Sequence, residues 1–186
     1  MANVSFDNVK IKGISAVVPK NVIKNSDLVG LMTEKEIRNA IKTTGISERR
    51  IVDKNMCASD LCFEAANKLL DDMNIDRRSI DLLIFLSQTP DYHQPSTAPL
   101  LQDRLNLPKT TGAFDINMAC SGYVYGLSTA FSYASQIGID SVLLLVGETL
   151  SKVTSLKDRA TSLLFGDGAA ATLIEKDKRS GKSYFS

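Results

Sequence analysis

Between Asp115 and Asp140 the chain carries no charged residue, and this absence restricts the fold more than any other stretch does. A surface helix sets a polar face opposite its apolar stripe, so an uncharged helix must be covered by lipid or by protein. A membrane span needs roughly 20 residues that all tolerate hydrocarbon. Asn117, Gln136, several serines and the glycines Gly122, Gly126 and Gly138 are too polar a set for that. Cys120 to Ile137 therefore reads as a helix buried on all sides inside a protein, and the remaining elements must supply layers to cover it.

Those elements alternate. Val9 to Val18 reads as a strand ending at Pro19, and Thr33 with Glu36 forms a capping box that opens a helix running toward Gly45. Ser59 is placed to cap the next helix, whose Leu61, Ala65, Leu69 and Met73 share one face. The apolar runs Asp81 to Ser87 and Ser141 to Gly147 suit strands covered on both faces, as does the shorter Gly112 to Ile116. A Pro-containing loop from Gln88 to Pro95 leads into a short helix ending near Leu105. Ala169 to Glu175 reads as a strand, residues 176–182 as an exposed charged turn, and Ser183 onward as the opening of a further strand. The order predicts a single α/β domain over residues 1–186, with a mostly parallel sheet and helices on both faces. A last strand with no closing element suggests a piece of a longer protein.

The 22 basic residues are balanced by 21 acidic ones, a net charge of +1. That leaves none of the basic excess that nucleic acid attracts. The N-terminus has neither a basic start nor an apolar core of a signal peptide, and three cysteines, an odd number, do not make a disulfide framework. Together these predict a cytoplasmic protein without membrane or nucleic-acid partners.

Cys120 is the strongest chemical candidate. It follows the strand Gly112 to Ile116 by four residues and precedes the uncharged helix, at a strand-to-helix turn where unpaired N–H groups and the helix dipole favour a thiolate. Small neighbours (Ala119, Ser121, Gly122) let a substrate carbonyl approach the backbone. On spacing alone a buried structural thiol competes with this reading. Cys57 and Cys62 lack the further ligands a zinc site needs, and no metal is expected. His93, the one histidine, lies in the Gln88 to Pro95 loop as a possible base or a loop residue without a catalytic role. Gly166 and Gly168 begin a G-x-G-x-x-A match to the dinucleotide fingerprint. A strand-like run follows them where that mechanism needs a helix, so they read as a close backbone approach at a turn.

Six blocks occur in order: Thr44-Gly45-Ile46-Ser47-Glu48-Arg49-Arg50, Thr89-Pro90-Asp91, Pro95-Ser96-Thr97-Ala98, Phe114-Asp115-Ile116-Asn117-Met118-Ala119-Cys120-Ser121-Gly122, Gly147-Glu148-Thr149-Leu150-Ser151 and Phe165-Gly166-Asp167-Gly168-Ala169. Together they resemble the N-terminal half of a β-ketoacyl-acyl carrier protein synthase III of the thiolase superfamily, over nearly the whole chain. The resemblance implies a three-layer αβα half with a five-stranded mixed, mostly parallel sheet, one of two stacked as five layers around the Cys120 helix. It implies that Cys120 is the nucleophile and accepts an acyl group from acyl-CoA. A malonyl unit on acyl carrier protein then decarboxylates and takes that group. No cofactor beyond these substrates is implied, and the family forms homodimers.

The family's catalytic His and Asn belong to the C-terminal half, so this chain alone is expected not to turn over. Arg159 matches the family's CoA-contacting arginine. Asn39 stands where well-studied members stack a Trp on adenine, Thr43 replaces an arginine, and Gln94 precedes Pro95 where an apolar residue commonly borders the acyl pocket. The competing reading is a non-catalytic dimerisation or binding module of the same fold.

Overall fold

The computed structural model describes residues 4–155, 157–159, 161–177 and 183–185. In chain order the elements are β1 (Val4–Phe6), β2 (Val9–Val17), β3 (Asn21–Lys24), α1 (Glu34–Thr44), β4 (Glu48–Ile51), α2 (Ala58–Asp72), β5 (Leu82–Leu86), α3 (Thr97–Arg104), β6 (Gly112–Ile116), α4 (Gly122–Ala134), β7 (Ser141–Thr149), β8 (Asp167–Lys176) and β9 (Ser183–Phe185). The turn expected over 176–182 lies outside the described residues from 178 onward.

The core is a five-stranded mixed sheet in the order β2-β8-β7-β5-β6. β6, β5 and β7 pair in parallel, while β8 runs antiparallel to both of its neighbours. Four strands thus share one direction, as the alternating pattern predicted. The sheet has no wet face at its centre, since all five residues of β5 are buried. Leu83 and Phe85 meet Leu143, Leu145, Ala171 and Leu173 beneath α2 and α3, whereas Leu82, Ile84 and Leu86 meet Val142 and Leu144 beneath Ala130, Phe131 and Ala134 of α4. Period-two alternation in buried strands makes two apolar surfaces from one sequence, and two helical layers cover them. Each fully buried Leu or Phe contributes about 1.5–3 kcal/mol through apolar area removed from water.

Local signals set several boundaries. α1 opens on the expected capping box: the Thr33 N–H donates to Glu36 at 2.8 Å and the Glu36 N–H donates to the Thr33 hydroxyl at 3.3 Å. It ends at Gly45, whose φ of 74° is the left-handed region glycine favours. Ser59 does not cap α2. The N-cap is Cys57, whose N–H donates to Asp60 at 2.7 Å, and Ser59 is buried inside the first turn. α1, which lies between the paired strands β3 and β4 in the chain, closes a small separate cluster with Met32 and Leu163.

This chain by itself covers one face of α4. α4 buries Gly122, Gly126, Ala130, Phe131 and Ala134 against the sheet, but Val124 is 56% and Tyr125 59% exposed. The described residues place protein on one side of it only. Its outward hydroxyls bond back into the helix, Thr129 to the Tyr125 carbonyl at 2.8 Å and Ser132 to the Ser128 carbonyl at 2.9 Å. That is how an uncharged helix satisfies its polar side chains without water.

Candidate active site

β6 delivers the turn that bears Cys120. Its last residue, Ile116, lies in register with Leu86, the last residue of β5, which in turn aligns with Val146 of β7, so β5 and β6 end side by side while β7 runs on to Thr149. The connection after β5 runs through α3 on one face of the sheet and the connection after β6 through α4 on the other. A crevice at such carboxyl ends is where open α/β sheets place their ligands. Residues 117–121 cross this end and α4 begins at Gly122, with the Gly122 N–H donating to the Ala119 carbonyl at 2.7 Å. No side chain caps the helix at Ser121.

Two glycines one turn apart let α4 lie close to the sheet. A Cβ on Gly122 would stand 2.6 Å from a Leu86 methyl and 3.3 Å from the Met118 Cβ, and one on Gly126 would stand 2.9 Å from the other Leu86 methyl. The sequence is therefore committed to placing this helix, and the thiol just ahead of it, directly over the end of β5.

The three thiols occupy different environments. Cys120 is exposed, Cys57 half-buried and Cys62 fully buried. Burial pushes the Cys62 thiol far above the ordinary thiol range, and it raises Cys57 too, with Asp91 adding to the effect. Cys120 is thus the thiol open to a substrate. An open apolar hollow of about 480 Å³ adjoins its helix, lined by Tyr123, Ile14, Val146, Glu148, Ala170 and Thr172. The Tyr123 hydroxyl lies 3.3 Å from that of Thr172 at its floor. A slightly larger hollow, about 520 Å³, lies against α2, and neither hollow is lined by a residue of the Cys120 turn.

Glu148 on β7 was not singled out as a site residue from the sequence. Its carboxylate accepts the Gln88 N–H at 2.8 Å and the Thr89 hydroxyl at 2.6 Å, and the Thr89 oxygen accepts the Thr149 N–H at 2.9 Å. Asp115 on β6 accepts the N–H groups of Thr97 and Ala98, both at 2.7 Å, at the start of α3. An acid set among apolar strand residues, as in Ala113-Phe114-Asp115-Ile116, must find donors, and that was the available signal.

Arg159 forms an exposed ion pair with Glu36 of α1, the same helix that carries the exposed Asn39 and Thr43. Its guanidinium and the Thr33 cap hold the Glu36 carboxyl below the usual range, Thr33 contributing most. His93 and Gln94 are both exposed in the loop before α3. Gly166 and Gly168 lead into β8 rather than a helix, and a Cβ on Gly166 would stand 3.0 Å from the Arg50 carbonyl oxygen. They allow a close backbone approach, as expected. The adjoining Asp167 carboxylate is buried and accepts the Val52 N–H at 2.8 Å and the Ser151 N–H at 2.9 Å.

Residues 114–186 match the family model described as 3-oxoacyl-[acyl-carrier-protein] synthase III. A putative 3-oxoacyl-[acyl-carrier-protein] synthase 3 from Campylobacter jejuni is 44% identical over 174 residues, 92% of this chain and 49% of the relative. The crystal structure of a 3-oxoacyl-(acyl-carrier protein) synthase from Burkholderia xenovorans superposes with a TM-score of 0.96 at 37% identity, covering 98% of this chain and 52% of that one. The chain belongs to the β-ketoacyl-acyl carrier protein synthase III family. A Staphylococcus epidermidis member named β-ketoacyl-[acyl-carrier-protein] synthase III 2 is 41% identical over 91% of this chain and 51% of its own length. The Thermus thermophilus synthase III structure gives a TM-score of 0.81 at 36% identity, over 89% of this chain and 51% of that chain. The chain spans about half the length of the curated relatives it matches. Among the described residues no helix is long and apolar enough to cross a membrane.

Proposed function

We propose that this chain is the N-terminal half of a condensing enzyme in which Cys120 is the acyl acceptor. The thiolate attacks the carbonyl of an acyl-CoA thioester, and the tetrahedral intermediate collapses with loss of the CoA thiolate, which leaves as CoA thiol once protonated. The acyl-enzyme then meets a malonyl group on acyl carrier protein. Loss of CO₂ generates a carbanion that takes the acyl group and returns the Cys120 thiolate. A second half, carrying a His and an Asn, supplies donors for the thioester carbonyl and covers the outward face of α4. Arg159 is the proposed contact to the CoA nucleotide, the working form is a cytoplasmic homodimer, and no metal or cofactor enters the reaction.

The observation that carries this reading is the placement of Cys120: an exposed thiol on a turn of small residues past the carboxyl end of β6, just ahead of a helix whose Tyr123 lines an apolar hollow. The exposed Val124 and Tyr125 favour a second reading, a docking module of the same fold. Exchange of isotopically labelled CoA into acyl-CoA separates the two, because it needs acyl transfer to the protein and nothing after it. Exchange lost in Cys120→Ala supports the enzyme. Exchange indifferent to that substitution, or absent with every thioester when the second half is present, removes it.

A further inference from the structure

Arg49 of β4 is buried, and burying a guanidinium is costly unless its donors find partners. Its Nε donates to the Asn25 side-chain oxygen at 2.9 Å, and its Nη1 to the Phe165 carbonyl at 3.1 Å. Asn25, also buried, donates its side-chain nitrogen to the carbonyls of Ile46 and Leu163, both at 2.9 Å. Two main-chain carbonyls just ahead of β8 are thus held by a pair of side chains 116 and 138 positions away.

The connection from β7 to β8 is also closed at its start. Asp167, the first residue of β8, accepts the Ser151 N–H at 2.9 Å and the Ser151 hydroxyl at 2.5 Å. Burial lowers the pKa of Arg49 and the charge of Asp167 opposes that, so carboxylate and guanidinium belong to one buried cluster. Between these ends Lys157, Asp158 and Arg159 stand exposed. The Ser162 N–H donates to the Asp158 carbonyl at 2.9 Å and the Leu164 N–H to the Thr161 carbonyl at 3.0 Å, so the turns after Arg159 run straight into the held carbonyls. Leu163 packs with Met32 and Ile37, and Arg159 pairs with Glu36 on the same helix as Ile37. A loop fixed before its ligand arrives has less ordering left to lose on binding.

We infer that Arg49 is a positioning residue: with Asn25 and Asp167 it clamps both ends of the connection between β7 and β8, and so sets Arg159 for the CoA nucleotide. The nucleotide part rests on the proposed contact of Arg159, whereas the clamping part does not.

The test uses Arg49→Lys and Arg159→Ala with the second half present, and two acyl donors: an acyl-CoA and the matching acyl-pantetheine, which lacks the nucleotide. Lysine keeps the charge but not the planar fork that reaches Asn25 and Phe165 together. For Arg49→Lys the expected results are a KM for acyl-CoA about tenfold higher with kcat nearly unchanged, no change with acyl-pantetheine, and Ser162 and Leu164 amides that exchange about tenfold faster. Arg159→Ala should show the same split between donors, and the double variant should be hardly worse than Arg159→Ala, since Arg49 acts through that residue. If Arg49→Lys fails to fold, Ser151→Ala removes one bond to Asp167 and should raise the acyl-CoA KM about threefold, again sparing acyl-pantetheine. Equal losses with both donors, strictly additive losses, or unchanged amide exchange overturns the inference. If Arg159→Ala leaves the acyl-CoA KM unaltered, the Arg159 contact has failed and the nucleotide part with it, and the amide exchange still decides whether Arg49 clamps the connection.

Discussion

Gly122→Ala tests whether α4 sits where it does because glycine permits it. The added Cβ would lie 2.6 Å from a Leu86 methyl and 3.3 Å from the Met118 Cβ. Carbon atoms in contact prefer about 3.5–4.0 Å, so the overlap is roughly 1 Å. Leu86 is 1% exposed and packed beneath α4, so it cannot swing into solvent. Overpacking of this kind costs about 1–3 kcal/mol, and replacing glycine in a helix returns at most about 1 kcal/mol. A net loss of about 1–2 kcal/mol follows, which at this chain length lowers Tm by roughly 2–8 °C. Urea denaturation of Gly122→Ala, Leu86→Ala and the double variant measures it. Leu86→Ala alone should cost about 2–5 kcal/mol, yet the two together should cost at least about 1 kcal/mol less than their sum, since the truncation makes room for the new methyl. A Gly122→Ala chain as stable as the parent, or strictly additive costs, would refute the close approach of α4 to β5.

Two further outcomes follow from single groups. Below about pH 8.5 the Cys62 thiol is neutral both folded and unfolded, so the stability it contributes is fully present. Burial raises its folded value far above the unfolded one, so above that pH only the unfolded chain gains by ionising, and stability should fall by up to about 1.4 kcal/mol per pH unit. Cys62→Ala should lack that part of the slope in paired denaturation curves between pH 8 and 10, and parallel curves would contradict it. Thr33→Ala removes the capping box of α1 from an exposed site and should cost about 1 kcal/mol by the same measurement, with no change in Cys120 labelling.

The central strands were legible because their chemistry is local. Gly112 to Ile116 carries its boundaries in the residues themselves, and the Thr33, Glu36 and Gly45 signals fix α1 at both ends. β3 and β4 were missed since Asn21–Lys24 and Glu48–Ile51 are short and polar and pair across the whole of α1, with no tight turn to announce them. Ser59 misled for a similar reason: its hydroxyl is taken by Asp91, 32 residues away, which no neighbouring residue reveals. Absence of charge marked α4 as a helix meant for burial, but charge patterning does not say which chain covers each face. At the site, Cys120 was legible from a turn of small residues between a strand and a helix. The Glu148 contacts were not, because the partners lie about sixty positions apart and meet only where β7 runs past the end of β5.

The claim on which the account turns is that Cys120, and neither of the other two thiols, accepts the acyl group. The most direct measurement is intact mass after incubation with a panel of acyl-CoAs, followed by peptide mapping, on the chain and its Cys120→Ala variant. The account predicts one acyl group, on the peptide containing Cys120 and absent from the variant. An adduct mapped to Cys57, or one that persists in the variant, would contradict it.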